Sequence, residues 1–264
     1  MRVLVLGATG FIGRHVTAAL LRAGHEVVAA VRRPEEARRR FPGIATLACD
    51  LAADTDPAVW LPRLRGIDAV VNAAGLLRGR DIAAVHVEGP RALFAACALA
   101  GIRRVIHVSA ISADREAGTD YARSKWQAEA ELRRRDDLDW VILRPSLVWH
   151  QGSYGGTSLL RGLAGLPGLL LLPGDGKEQF QPIHADDLAR VVCQLVGDSS
   201  LTRVTLEPAG PETLGLREML PQLRQWLDLP PARLTLALPP SLIDAMAWLG
   251  EWFGRGPVSR NALA

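Results

Sequence analysis

Lysine and tyrosine are nearly absent from this chain of 264 residues: there are two of each, Lys125 and Lys177, Tyr121 and Tyr154. The net charge of +3 therefore rests on arginine. The arginines are scattered apart from Arg32–Arg33, Arg38–Arg40 and Arg133–Arg135, which read as solvated helix faces or phosphate contacts. A charge this small and dispersed excludes an extended nucleic-acid surface. Cysteine is scarce too. Cys49, Cys97 and Cys193 stand in apolar surroundings without C-x-x-C spacing. That excludes a disulfide framework and a zinc site, and it suits a reducing, cytoplasmic setting. Long apolar runs are missing. The longest uncharged stretch, Gly162 to Gly174, is too short to cross a bilayer and carries Pro167 and Pro173, so no membrane span is expected. No targeting segment is expected ahead of the first strand. Neither an internal repeat nor a low-complexity tract is visible.

What the chain does have is 48% hydrophobic residues, enough for one sizeable core with a small appended lobe. Val3 to Leu6 is an uninterrupted apolar run, as a strand buried on both faces requires. Gly7, Gly10 and Gly13 follow at three-residue spacing, and an apolar-periodic helix from about Phe11 to Ala23 comes next, stopping at Gly24. A strand, a glycine turn and a helix start in that order make an anion cradle, because glycine lets the backbone approach a pyrophosphate that the free helix N–H groups face. The second strand, Glu26 to Val31, ends in Arg32 and Arg33. NAD-specific cradles place an acid there for the ribose 2′-hydroxyl. Two guanidinium groups instead suit a 2′-phosphate, so NADP is the expected cofactor and NAD the less expected one.

Further strands are expected over Ile44–Cys49, Asp68–Asn72, Val105–Val108 and Asp139–Leu143, with a long helix over Asp81–Ala100 and another over Asp120–Arg134. This alternation predicts an α/β fold with a doubly wound parallel sheet. Beyond Ser146 the composition turns to glycine, proline and polar residues. Residues 1–146 are expected to form the nucleotide-binding core. Residues 147–264 are expected to form a substrate-binding segment and small C-terminal lobe, with 184–206 returning to the core. The lobe should hold a helix over Leu214–Leu227 and one over Pro240–Phe253. In the latter, Ile243, Met246, Ala247, Trp248, Trp252 and Phe253 recur at helical spacing and should pack on the protein itself or on a protein partner.

Tyr121 and Lys125 lie four apart on the Asp120–Arg134 helix, hence on one face. The spacing has a chemical use. A phenol of reference pKa near 10 exchanges protons poorly at pH 7, and an ammonium one helical turn away stabilises the phenolate. Tyr121 can then give a proton to a carbonyl as hydride arrives, or take one in the reverse direction, while Lys125 also reaches the nicotinamide ribose.

Several segments carry a resemblance: the G-x-x-G-x-x-G turn with Thr9, N-A-A-G at 72–75, H-V-S-A-I-S-A-D at 107–114, Y-A-R-S-K at 121–125, W-V-I-L-R-P-S at 140–146, Q-P-I-H-A-D-D-L-A at 181–189 and the tail G-P-V-S-R-N-A-L. The chain resembles the atypical and extended short-chain dehydrogenases/reductases. It is most similar to the bacterial group related to the NAD(P)-binding accessory subunit of respiratory complex I, whose members are epimerase/dehydratase-like. The resemblance implies a Rossmann fold in which Gly7, Thr9, Gly10, Phe11, Ile12 and Gly13 hold the pyrophosphate. It places Asp50 and Leu51 against the adenine, and Ala73, Ala74, Gly75, Ser109 and Pro145 along the cofactor. It implies Ser112 as the third catalytic member beside Tyr121 and Lys125. Two positions depart from the family pattern: Ile111 stands where the catalytic Ser or Thr is usual, and His86 where an Asn is usual in the preceding helix. His86 reads as a packed, hydrogen-bonded histidine. Val148-Trp149-His150 lacks the glycine that sugar-nucleotide epimerases show there.

Three functions fit. One is an NADP-dependent oxidoreductase acting on a small carbonyl or alcohol. The others are a non-catalytic NADP(H)-binding scaffold or redox sensor of a partner complex, and a nucleoside-diphosphate-sugar epimerase or dehydratase. The substrate pocket is expected from Ser112, Tyr121, Ser146 to Tyr154 and the 157–183 segment. A protein partner or a homo-oligomer is compatible with all three.

Overall fold

The structure is a computed structural model, and it describes residues 1–152 and 156–239. The expected helix over Pro240–Phe253, the tail motif and the lining residues Ser153 and Tyr154 lie outside the described residues. In chain order the elements are β1 (Arg2–Leu6), α1 (Gly13–Arg22), β2 (Glu26–Val31), α2 (Pro34–Arg40), β3 (Ala45–Ala48), α3 (Pro57–Trp60), β4 (Ala69–Asn72), α4 (Gly89–Leu99), β5 (Arg104–Val108), α5 (Asp120–Arg133) and β6 (Asp139–Leu143). They continue with β7 (Val148–Trp149), α6 (Gly156–Ala164), β8 (Leu169–Pro173), β9 (Gln179–Phe180), β10 (Ile183–His184), α7 (Ala185–Gly197), β11 (Val204–Leu206), β12 (Leu214–Gly215), α8 (Leu216–Trp226) and β13 (Leu234–Leu238).

The chain divides into two units. The first is Met1–Pro145 with Ala185–Pro208; the second is Ser146–His184 with Ala209–Ala264. The first is built on a seven-stranded parallel sheet ordered β11-β6-β5-β4-β1-β2-β3. Its central strands read V-L-V-L and A-V-V-N because helices cover both faces, leaving no polar side to alternate with. The chain winds outward from β1 to β3, then restarts on the other side at β4. The carboxyl ends of β1 and β4 therefore flank the point where the order reverses, the place where such sheets bind ligands. The core on one face includes Leu4, Leu6, Trp60, Leu93, Phe94 and Ile142, each at most 1% exposed. Residues 185–208 belong to this unit. α7 packs on α1, where His15 Nδ1 and Asp186 Oδ1 lie 2.7 Å apart, and β11 pairs with β6.

One helix differs from its sequence expectation. The long helix expected from Asp81 is interrupted by a π-helical turn over Ala84–Glu88, in which the Gly89 N–H reaches Ala84 O. Pro90 accounts for it: the ring has no N–H for His86 O and would clash with it, so the backbone widens there. The wide turn carries His86.

Among the described residues the second unit contains three two-stranded pieces: β10–β7 and β13–β8, both parallel, and β12–β9, antiparallel. α6 and α8 pack around a core of Leu159, Leu163, Leu170, Leu172, Met219 and Leu220. Arg224 is buried in this unit, 2% exposed, and donates to the carbonyls of Ala164, Leu166 and Pro230 at 2.6, 2.6 and 2.8 Å. No helix among the described residues is long and apolar enough to cross a membrane.

Candidate functional site

The glycine turn after β1 leaves no room for side chains. Gly7 has φ +71°, and a Cβ there would stand 2.9 Å from Ala74 Cα and 3.0 Å from Ala73 O. A Cβ on Gly13 would lie 2.0 Å from Gly7 O. The Gly10 N–H closes the turn onto Gly7 O at 2.8 Å. Phe11 and Ile12 stay in the turn, and the helix begins at Gly13 rather than Phe11. α1 has no acid in its first turn, so its N-terminus keeps the positive end of its dipole unopposed by a carboxylate. A backbone cradle that a Cβ would fill, set against a helix start and the Ala73–Ala74 turn, fits a dinucleotide pyrophosphate.

Beside the turn, Thr9, Glu36, Arg39 and Arg40 line a cavity of about 620 Å³. Arg14 lies close by, its guanidinium 5.4 Å from the centre of the Phe11 ring; burial, then the Arg40 charge, lowers its pKa. The two arginines marked by the sequence stand differently. Arg32 and Arg33 are both exposed, and Arg33 Nη1 donates to Glu36 Oε1 on its own helix at 2.9 Å. The cationic lining of this cavity thus comes from Arg39 and Arg40, one helix further on. Asp50 Oδ1 accepts from the Ala52 N–H at 3.1 Å. Leu51 is buried against Gly89, where a Cβ would come within 2.4 Å of Leu51 O.

The second half of the site gathers on α5. Thr119 Oγ1 caps the helix by accepting from the Ala122 N–H. Lys125 is 5% exposed, and its Nζ donates to Val108 O, the last carbonyl of β5, at 3.0 Å. Burial pulls its pKa down to about 8, against the opposing pull of Glu129 one turn away. Tyr121, half-buried, meets the His86 ring edge-on with centroids 5.7 Å apart.

His86 is packed and hydrogen-bonded at both ring nitrogens. Its Nε2 accepts from the Leu76 N–H at 2.9 Å, which leaves the proton on Nδ1, 2.8 Å from Ser124 Oγ. Ser124 Oγ donates onward to Tyr121 O at 2.9 Å. Burial, then the charges of Lys125 and His107, push the His86 pKa down to about 2. The neutral ring thus ties the loop after β4 to the first turn of α5. A Cβ on Gly75 would sit 3.3 Å from both His86 Nε2 and Lys125 Nζ, so the glycine keeps that space open. His107 lies beneath. Its Nδ1 accepts from Asn72 Nδ2 at 3.2 Å, and burial then the Lys125 charge hold its pKa near 3.

The turn after β5 is divided. Ser109 is buried and donates to Glu129 Oε1 at 2.5 Å. Glu129, fully buried, also takes two hydrogen bonds from Arg144, at 2.9 and 2.7 Å, and one from Arg133 at 2.8 Å. Ser112 is half-buried, and Ile111 is 51% exposed. Pro145 O accepts the Ile111 N–H at 3.2 Å. The sequence reading missed Glu129 and Ser124. Glu129 had one local signal, its place four residues after Lys125; its link to Ser109 and Arg144 had none.

Comparison with known proteins places the chain in a family and a fold. The family described as NAD(P)H-binding matches residues 7–199. A 2-alkyl-3-oxoalkanoate reductase of Stenotrophomonas maltophilia is 30% identical over 213 residues, covering 72% of this chain and 63% of that protein. The chain thus spans less than two thirds of the length of that relative. NADH dehydrogenase (ubiquinone) 1 alpha subcomplex subunit 9, mitochondrial, of Mus musculus is 28% identical over 262 residues, 96% of this chain and 67% of that one. Among solved structures, UDP-glucuronic acid 4-epimerase from Bacillus cereus in complex with NAD superposes with a TM-score of 0.73 at 21% identity, over 90% of this chain and 87% of the other. At that identity the likeness is one of fold.

Proposed function

This chain belongs to the NAD(P)H-binding family, among the atypical short-chain dehydrogenases/reductases, and from that premise we propose that it is an NADP-dependent oxidoreductase interconverting a small carbonyl and its alcohol. The observation that carries the reading is the placement of half-buried Tyr121 and buried Lys125 one turn apart on α5. The bound cofactor supplies the hydride that the carbonyl carbon receives, or takes it back in the reverse direction. Tyr121 donates its phenolic proton to the carbonyl oxygen and recovers one from the hydroxyl in reverse. Lys125 stabilises the phenolate. One of its three ammonium hydrogens is committed to Val108 O, which leaves two for the phenolate and a ribose hydroxyl. His86 stays neutral and holds the Tyr121 turn in place. Arg39 and Arg40 beside Thr9, with Arg32 exposed nearby in sequence, support recognition of a 2′-phosphate and hence NADP over NAD. The first unit then binds the nucleotide and the second recognises substrate. Three free cysteines suit a cytoplasmic location.

A second reading has its own support. Ile111 puts an exposed apolar side chain where a catalytic hydroxyl is usual, and Ser109 is committed to Glu129. Loss of one such donor costs about a hundredfold in turnover. These features favour a slow enzyme or a nucleotide-binding scaffold within a partner complex. A panel of aldehydes, ketones and quinones with NADPH, run on the wild type and Tyr121→Phe, separates the two. Turnover that falls by about 10²–10⁴ in the variant, with NADPH affinity kept, is the expected result. NADPH binding without any turnover leaves the scaffold. A variant as fast as the wild type removes Tyr121 from the mechanism.

A further inference from the structure

The second unit carries a row of rings that its core does not use. That core is aliphatic, and Trp149, His150, His184 and Trp226 lie outside it. His184 on β10 stands opposite Trp149 on β7, their rings edge-on at 5.8 Å. His150 tilts against His184 at 5.1 Å. Trp226, the last residue of α8, meets Trp149 edge-on at 6.1 Å and is 39% exposed. Arg161 on α6 lays its guanidinium over the Trp226 ring, 5.2 Å from the centroid.

Two features distinguish this row from ordinary packing. Leucines already fill the core, so two indoles left partly in water are apolar surface in excess of what folding needs. Arg161 is also underused. Its Nη1 donates to Gln151 O, and no carboxylate among the described residues pairs with it. With Nη1 committed to Gln151 O, the Nε–Nη2 edge of the guanidinium remains as the two-pronged donor that fits a planar carboxylate.

We propose that this row is a recognition surface for an organic acid: Arg161 holds the carboxylate, and Trp149 and Trp226 carry an apolar or aromatic body.

The test uses the full chain and isothermal titration with octanoate and 3-phenylpropionate, each against its primary amide, with inorganic phosphate as a separate arm. The acids are expected to bind about tenfold or more tightly than the amides. Arg161→Gln should weaken the acids by about tenfold to a hundredfold while leaving amide and NADPH affinities unchanged. Arg161→Lys should fall between, and Trp226→Leu should weaken acid and amide alike. Equal binding of acid and amide overturns the proposal. So does an Arg161→Gln variant that binds the acids normally, or phosphate binding as tightly as the acids. Acid binding that depends on Arg161, in a protein that reduces no carbonyl, would sink the oxidoreductase and leave this surface standing. Reduction of neutral ketones that depends on Tyr121, with no affinity for the acids, would do the reverse.

Discussion

In the first unit a buried carboxylate, Glu129, is ringed by cations and a hydroxyl; in the second a buried guanidinium, Arg224, is ringed by carbonyls alone. Both solve the cost of taking a charge out of water, but they do different work. Glu129 joins the turn after β5, α5 and the end of β6, three separate segments that carry the candidate site. Arg224 draws together loop carbonyls around residues 164–169 and 230, where the described part of the second unit has two-stranded pieces rather than a wide sheet to bind them. A long parallel ladder sets backbone position by itself, so its buried charge is available to tune a site. A unit built from two-stranded pieces uses its buried charge as part of the frame.

Substitutions can break this contrast, and the largest effect belongs to the cradle. Gly13→Val puts side-chain atoms where Gly7 O already lies. A loss of more than about 4 kcal/mol is expected, with NADPH binding abolished; calorimetry showing an unchanged melting temperature would refute it. Glu129→Gln comes next. It leaves Arg144 without its buried counter-charge, and about 3–5 kcal/mol should be lost. Activity should suffer beyond that, because an amide N–H₂ now faces the Arg144 and Arg133 donors and loosens the joint between α5 and the end of β6. Arg224→Met is expected to cost about 3 kcal/mol by orphaning buried carbonyls. If it acts on the frame alone, NADPH affinity stays within about twofold. Denaturant titrations paired with NADPH binding measure both, and equal effects on affinity from the two variants would erase the distinction drawn here.

Proton linkage gives a smaller, signed effect. Lys125 has its pKa lowered from 10.5 to about 8 by burial. Between those values the unfolded chain binds the proton and the folded chain does not, so stability rises with pH across that window. Lys125→Met should remove the rise, which is on the order of 3 kcal/mol. The buried histidines act at the other end. His86 and His107 are lowered from 6.5 to about 2 and about 3 by burial. The folded protein therefore loses stability as pH falls below 6.5, and His86→Asn should flatten that fall. A stability–pH curve identical to wild type in either variant would contradict the assignment. The smallest effect concerns the cofactor. Arg39→Ala with Arg40→Ala should reduce the preference for NADPH over NADH by about tenfold, while Arg32→Ala alone should change it less; fluorescence titration decides.

The parts of the molecule that sequence could reveal are those written locally. The glycine turn, the N-A-A-G at the end of β4 and the Tyr–Lys pair each fit within a few residues, and the alternation of apolar runs with helices indicates the wound sheet. What it could not reveal joins distant residues. Ser109, Glu129 and Arg144 are 20 and 15 residues apart, and no pattern of period two or 3.6 connects them. The arginines at 38–40 were visible as a cluster, but only the fold of α2 brings two of them beside Thr9. The widened turn at His86 had its cause in plain sight at Pro90, yet the apolar periodicity around it reads as ordinary helix. In the second unit three of the strand pairings involve two-residue strands or cross long loops, too short or too distant for periodicity to register.

The return of residues 185–208 to the first sheet also bears on how the protein is made. Arg104 in β5 is 8% exposed and bonds to Leu195 O and Leu201 O, at 2.8 and 2.7 Å for Nε and Nη1. Those acceptors leave the ribosome some ninety residues after the arginine does. Until they arrive, the nascent sheet lacks both its β11 edge and the partners of a side chain destined for its interior. The guanidinium must stay hydrated, which keeps that corner open. A chain cut at Pro145 should thus remain loosely closed however complete its glycine cradle. Residues 146–184 must be synthesised before the first unit can be completed.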